Sequence, residues 1–487
     1  MVERKVSIFN NTIKQSIIKK ANKQKNKYIK LFGPADKNIN KMSVVDNKII
    51  GPIIGVKNLE MNNNGVMPDY KKSILIGTIR MGFGHYRIAM AIASAAHHSG
   101  YTPLWFDIPS FKETTGGKIV TRLNNLYSLG SKLSQKSSLF NKLYWEPLNY
   151  SGFKKLSYNA IDQKITELMA PLCNDFPKDI PFIATHVWPA QAAIHSGMTK
   201  VINVIPDNWP MALHLSEGAI HTVQSFSSYL GYRSLREMAG QNTILKPMNS
   251  DAIVHTGHYI DHEIVSNLEE DCKKRLTRLR NNHPKRILLT VGGAGAQKEI
   301  FAEIIKYILS EIKNGEIVLF INVGDHQAVW DDLKSEIKEL VALSTTHFNN
   351  WEESFSFVQN AIDDDRLEGI HVFYDANIYA AVYITNILIR VSDLLVTKPS
   401  ELSFYPIPKL FIKRVGGHEA WGAIRSAEIG DGSFECETIA MTKSILELMI
   451  SDNEILITMV ENILSLNQQK IYNGAYNVIN CLHNFGV

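Results

Sequence analysis

Arg286-Ile-Leu-Leu-Thr-Val-Gly-Gly-Ala-Gly-Ala-Gln297 is the stretch on which the fold turns. It opens with a run of strand character, passes into Gly292, Gly293 and Gly295, and leads to a helical segment over 299–313. A short apolar run closed by glycines reads as a buried strand. The glycines let the chain turn tightly and let another group approach the backbone. Strand, glycine turn and helix in that order make the unit of a parallel sheet clothed in helices. Such a turn can point N–H groups at a diphosphate, or it can serve only to seat the helix on the sheet. It lacks the Lys-Ser/Thr ending of a P-loop, which argues against ATP hydrolysis.

The same unit occurs once more, earlier in the chain. Ser73-Ile-Leu-Ile-Gly-Thr78 reads as a strand, Arg80-Met-Gly-Phe-Gly-His-Tyr-Arg87 as a glycine turn, and 87–98 as a helix. Strands follow at 103–106, 182–185, 201–205 and 252–255, with a long helix near 119–140. After the second turn, strands are expected at 317–322, 371–374, 394–397 and 409–412. Helices are expected from 328 and over 377–391. The fold class is therefore α/β, with two Rossmann-like doubly wound domains and a helical C-terminal tail. The expected division is a basic, largely flexible extension over 1–70, a first domain over 71–280, a second over 281–435, and helices over 436–487 packing back on both. A chain of 487 residues is too long for one ordinary core, which agrees with this plan.

Composition removes other classes. The four cysteines, Cys173, Cys272, Cys436 and Cys481, lie far apart and form neither a disulfide framework nor a zinc pattern. No apolar run approaches the roughly 20 residues of a membrane helix. The net charge of +4 is uneven: residues 1–30 carry nine Lys/Arg against Glu3 alone, leaving −4 for the remainder. In that head Val6, Phe9, Ile13, Ile17 and Ala21 recur at helical spacing among lysines, the pattern of a helix that can lie in an anionic headgroup layer. A nucleic-acid partner is not expected, because the head interleaves few aromatics and the body has no basic excess. Nor is a dehydrogenase expected, since Gly82-Phe-Gly84 lacks a third glycine at the required spacing.

Candidate site residues cluster at the carboxyl ends of strands, where ligands sit in open α/β sheets. Gly82 and Gly84 permit close approach, and His85 at the helix start can take a proton from a hydroxyl. The positive helix end disfavours its protonation. His186 and Asp207 end two further strands of the first domain and are placed on the acceptor side, with loop capping as the alternative. Ser392-Asp-Leu-Leu-Val-Thr-Lys-Pro-Ser-Glu-Leu-Ser403 carries a strand into a polar loop, in which Glu401 can accept from ribose hydroxyls. Gly416-Gly-His-Glu-Ala420 offers His418 and Glu419 to sugar hydroxyls. Asp363-Asp364-Asp365 resembles a metal-binding run but lacks partner ligands at the right spacing, and reads as a solvated loop.

These motifs, in this order over about 73–435, resemble those of the monogalactosyldiacylglycerol synthases and of MurG, the N-acetylglucosaminyltransferase of peptidoglycan lipid intermediates. The Gly-His turn resembles their amino-terminal signature. Gly292-Gly-Ala-Gly295 looks like their diphosphate loop, Asp393-Leu-Leu-Val-Thr-Lys398 like their Asp-x-x-x-Thr-Lys strand, and Gly417-His-Glu-Ala420 resembles the Gln-Glu-Ala segment of the galactolipid enzymes. The resemblance implies a GT-B fold and an inverting hexosyltransferase that moves sugar from a UDP-sugar to a lipid or lipid-linked hydroxyl. No cofactor and no obligatory metal are implied, the UDP-sugar being a co-substrate. His85 would be the base; Gly292, Gly293, Gly295, Gln297 and Lys398 would hold the nucleotide; Glu401, His418 and Glu419 would lie on the donor side. A cytoplasmic protein, peripheral on the inner face of a membrane, is expected. Phe404-Tyr-Pro-Ile-Pro408 departs from the family by being short, which moves Glu401 early, and His418 and Gly422 stand where the family has Gln and Asn. A nucleotide-sugar epimerase on the same scaffold, or a nucleotide-sugar-binding protein that has lost catalysis, are the competing readings.

Overall fold

The computed structural model describes residues 7–35, 41–292, 297–364 and 366–486. The first sheet holds β1 (Met42–Asp46), β2 (Lys57–Met61), β3 (Ser73–Thr78), β4 (Thr102–Asp107), β5 (Phe182–Ala184), β6 (Val201–Val204), β7 (Ile220–Val223) and β8 (Ile253–His255). Their order in space is β8-β7-β6-β5-β3-β4-β2-β1, parallel except for the β1–β2 pair at one edge. The second sheet holds β9 (Lys285–Thr290), β10 (Ile317–Asn322), β11 (Ser344–Phe348), β12 (Ile370–Tyr374), β13 (Leu394–Thr397), β14 (Lys409–Ile412) and β15 (Gly432–Cys436). Its order is β11-β12-β10-β9-β13-β14-β15, parallel throughout. β3 and β10 are buried along their whole length, because helices cover both faces. This is the GT-B arrangement: two Rossmann-like sheets with a cleft between them. Each sheet reverses its winding at a central pair, β3/β5 in the first and β9/β13 in the second, and there a crevice opens beyond the carboxyl ends.

The expected flexible extension is largely folded where the structure describes it. Phe9 and Ile13 are buried in a core with Leu215, Val223 and Tyr232. Asn11 both donates to and accepts from the backbone of Lys246. The helix Gln15–Phe32 buries Ala21 and Tyr28 and packs against the helix Leu156–Thr166, with Lys25 paired to Glu167 at 2.5 Å. The apolar stripe read as lipid-facing is thus turned into the protein's own body; Val6 lies outside the described residues. Residues 51–70, expected as a linker, contribute the short helix Gly51–Ile54 and the strand β2, which lies between β4 and the edge strand β1.

The two units are tied at the back of the cleft. The helix Leu268–Arg280 sits under the second sheet, where Arg278 makes a two-pronged bond to Asp393 (2.7 and 3.0 Å) and Arg275 donates to the Ser392 carbonyl at 2.7 Å. Tail helices Ile439–Ser451 and Asn453–Gln468 pack on the second domain, and Gly474–Asn480 crosses to the helix Gly84–His98 of the first. The crossing needs glycine: a Cβ at Gly474 would stand 2.3 Å from the Gly257 carbonyl oxygen. Among the described residues no helix is long and apolar enough to cross a membrane.

Candidate functional site

The switch points of the two sheets face one another, each knitted by a pair of threonines. Thr185 Oγ1 donates to Thr78 Oγ1 at 3.1 Å across β3 and β5, and Thr290 Oγ1 to Thr397 Oγ1 at 3.1 Å across β9 and β13. Between them lies a cavity of about 700 Å³ lined from both domains. That is within the range of roughly 300–1,000 Å³ for small-molecule sites.

On the first-domain wall Gly82 adopts φ +75°, a conformation side-chain-bearing residues rarely take. Gly84 opens the helix and His85 follows in its first turn. His85 Nδ1 lies 2.7 Å from the Thr185 carbonyl. That contact fixes the proton on Nδ1 and leaves the lone pair on Nε2 in the neutral ring. Burial holds the His85 pKa below the ordinary imidazole value, with the Thr185 carbonyl and Asp207 opposing only in part. His186 is engaged in structure: its Nδ1 accepts from the Trp188 N–H at 3.1 Å and its ring meets His85 edge-on, centroids 4.7 Å apart. Burial, and then His85, push its pKa well below the usual value.

Asp207 follows β6 and takes a bond from His214 Nε2 at 2.8 Å, while His418 Nε2 reaches to 3.8 Å from the second domain. Burial alone would raise the Asp207 pKa; His418, His214 and His85 outweigh it and hold the carboxyl far below its ordinary value. The site thus sets a neutral imidazole beside a fixed negative charge, an arrangement that stabilises an imidazolium once a proton arrives.

On the second-domain wall Lys398 lies against the start of the glycine turn, its Cε 3.2 Å from where a Cβ of Gly292 would stand. Lys398 pairs with Glu419. Burial disfavours its charge, but Glu419 more than compensates and the pKa is raised. The other Glu419 oxygen accepts from the N–H groups of Val415 (2.8 Å) and Gly416 (3.1 Å). Glu419 therefore folds its own loop and holds Lys398. Glu401, expected at a ribose, accepts instead from Arg87 Nε at 3.2 Å, across the cleft. Arg87 also donates to the Val382 carbonyl and to Asn386. Gln297 caps the helix Lys298–Tyr307 at φ +72° and donates to the Lys413 carbonyl. Gly293 and Gly295 lie outside the described residues. Asp363 pairs with Lys274 at 2.5 Å; Asp365 is likewise outside.

The cleft thus brings together His85, Asp207, Lys398, Glu401, His418 and Glu419. Sequence reasoning missed three participants. Arg87 stands in the quoted turn but was given no role, and His214 carried no signal beyond following the loop of Asp207. The third is an apolar arm of the cavity, walled by Leu123, Leu126, Leu133, Phe140, Tyr144 and Leu148. Its signal was present as leucines at helical spacing over 123–133, in a stretch read only as a helix.

Fold and site define a two-domain GT-B protein with a mixed polar and apolar cleft. Residues 7–234 match the family model described as Domain of unknown function (DUF6937), and residues 248–483 match that described as Domain of unknown function (DUF6938). No curated protein matches the sequence. Similar solved structures include a UDP-GlcNAc 2-epimerase from Neisseria meningitidis bound to UDP-GlcNAc, at 13% identity and TM-score 0.46, covering 85% of this chain and 100% of that one. An α,α-trehalose 6-phosphate synthase from Burkholderia multivorans follows at 11% identity and TM-score 0.43, covering 85% and 99%. A glycosyltransferase from Rickettsia africae matches at 13% identity and TM-score 0.41, covering 85% and 98%.

Proposed function

We propose that this chain is a hexosyltransferase that moves a sugar from a UDP-sugar to the hydroxyl of a lipid or lipid-linked acceptor, with inversion. The observation that carries the reading is His85: a half-buried, neutral imidazole with its proton fixed on Nδ1, lining a cavity whose opposite wall holds Lys398 beside a glycine turn. In this reading the acceptor hydroxyl gives its proton to His85 Nε2. Its oxygen bonds to the anomeric carbon from the face opposite the diphosphate, and the bond from that carbon to the diphosphate oxygen breaks. The new imidazolium is stabilised by Asp207. The departing charge is met by Lys398 and by the turn at Gly292, with no obligatory metal. The apolar arm supports a hydrocarbon-bearing acceptor, since apolar walls are filled most favourably by apolar groups.

Titration of the purified protein with UDP tests the donor side. Wild type and His85→Ala are expected to bind alike, and Lys398→Ala at least tenfold more weakly. Absence of UDP binding at millimolar concentration would sink the UDP-sugar reading. Turnover is then read with labelled UDP-sugars and a lipid acceptor, where His85→Ala should be inactive. One observation favours a second reading, a nucleotide-sugar-binding protein without catalysis: both carboxylates expected on the donor side, Glu401 and Glu419, are engaged by cations of the protein. UDP binding with no turnover of any UDP-sugar would single it out.

A further inference from the structure

The helix Thr115–Lys136 and the segment that follows it to Gly152 carry an unusual surface. Leu126, Leu129 and Leu133 recur on one face of the helix and are 51%, 55% and 42% exposed. Leu139, Leu143 and Tyr144 continue it at 68%, 68% and 59%. Large apolar side chains gathered in one exposed patch mark an interaction surface, whereas scattered ones do not. The charge of the same stretch is mostly positive, with Glu146 its one acidic residue. Residues 115–145 contain Lys118, Arg122, Lys132, Lys136 and Lys142 and no Asp or Glu. Arg122 shares the leucine face by helical spacing, and both Arg122 and Lys142 are exposed.

We infer that this segment, and not the basic amino-terminal helix, docks the protein on an anionic lipid bilayer. Exposed leucines beside the exposed cations Arg122 and Lys142 match a surface that is apolar within and negative at its headgroups. The rest of the molecule disfavours an acidic protein partner in this place, because the patch is continuous with the interior of the cleft. Leu126, Leu129, Leu133 and Tyr144 are exposed and at the same time line the apolar arm of the cavity. A hydrocarbon chain can therefore pass from the bilayer into the cleft along one apolar surface. That last step rests on the lipid-acceptor reading above; the docking does not. The amino-terminal segment lacks the means, having turned Phe9 and Ile13 before its helix, and Ala21 and Tyr28 on it, into the protein.

Sedimentation of the full chain with vesicles of phosphatidylcholine, with and without phosphatidylglycerol, tests the inference. Wild type is expected to pellet with the anionic vesicles and to stay in solution with the neutral ones. Leu139→Glu/Leu143→Glu should weaken vesicle binding at least tenfold. Lys19→Glu/Lys20→Glu/Lys23→Glu, on exposed positions of the amino-terminal helix, should leave it within twofold of wild type. Full binding by the leucine variant, loss confined to the lysine variant, or no binding by wild type each overturns the assignment. UDP titration of every variant, expected to be unchanged, shows that the cleft is folded and keeps this test separate from that of the donor site.

Discussion

At the scale of single residues the cleft is governed by burial against charge. His85 is half-buried at the wall of the cleft, and desolvation there penalises the imidazolium, so its pKa falls below the ordinary 6.5 despite the Thr185 carbonyl and Asp207. The sign of the consequence follows directly. A base must be unprotonated to act, so activity should be full above 6.5 and persist below it, falling only as pH drops through the lowered value. An Asp207→Asn change removes the charge that opposes this lowering, which depresses the His85 pKa further and weakens the imidazolium formed in the reaction. The acid limb of the pH–rate profile should therefore move to lower pH in Asp207→Asn while the plateau rate falls about 10²-fold or more, in the range of general-base contributions. An acid limb that stays in place, or moves up, would remove Asp207 from the environment of the base. The sequence already gives the direction for His85, at a helix start whose positive end disfavours the imidazolium, but not the neighbours that act on it. Sequence placed His85 and Asp207 at strand ends, where ligands bind, but their hydrogen-bond partners, Thr185 and His214, depend on loop geometry that residue patterning does not encode. Glu401 shows the reverse failure: a carboxylate in a fitting motif was given a ribose, and its partner is Arg87, 314 positions away in the chain.

At the scale of elements, legibility followed burial. β3, β9, β10 and β13 lie at sheet centres, are covered on both faces, and read as continuous apolar runs. The strands that escaped notice are polar for identifiable reasons. β7 is Ile-His-Thr-Val, yet fully buried, because His221 Nε2 accepts from the Ser216 N–H at 2.9 Å and Thr222 bonds the Tyr259 hydroxyl at 3.0 Å. β11 is an edge strand with Thr345 and Thr346 exposed, so it shows no apolar run at all. The amino-terminal segment was misread because an amphipathic pattern says only that one face seeks an apolar contact, and does not say whether lipid or protein supplies it. Phe9 decides between the two. It is 7% exposed and meets the ring of His221 edge-on at 5.8 Å. Phe9→Ala should cost about 3 kcal/mol or more of stability, as for other buried phenylalanines, read as a lower urea midpoint at unchanged slope. A flexible arm would lose less than about 0.5 kcal/mol, as surface substitutions do.

At the scale of the whole molecule, one continuous apolar core runs from the first domain into the second, with Tyr86 and Trp105 against Tyr379, and polar contacts beside it close the back of the cleft. Arg87 is central to them: it is 2% exposed, belongs to the first domain, and bonds Glu401, Asn386 and the Val382 carbonyl of the second. Arg80 with Asp325, the Tyr379 hydroxyl on Asn58 at 3.0 Å, and His258 Nδ1 at the Phe404 carbonyl at 2.9 Å lie across the same divide. The shared apolar core resists separation of the domains, so the polar contacts beside it set how far the cleft opens. In the proposed reading, a cleft that admits a nucleotide sugar on one wall and a hydrocarbon-bearing acceptor on the other gains from limited opening. Arg87→Ala removes a buried cation from the partly buried Glu401 at the cleft wall, and breaking such a pair costs up to about 3–5 kcal/mol. Glu401→Gln keeps an oxygen that can still accept from Arg87, so it should cost less. If Arg87 is the clamp between the domains, Arg87→Ala at temperatures well below its melting point should also show a larger radius of gyration by small-angle X-ray scattering, and Glu401→Gln a smaller increase. Lost stability with an unchanged radius in both variants would mean that Arg87 only fills its site, and that the tail helix from Gly474 to Asn480, which spans both domains, holds the cleft closed instead.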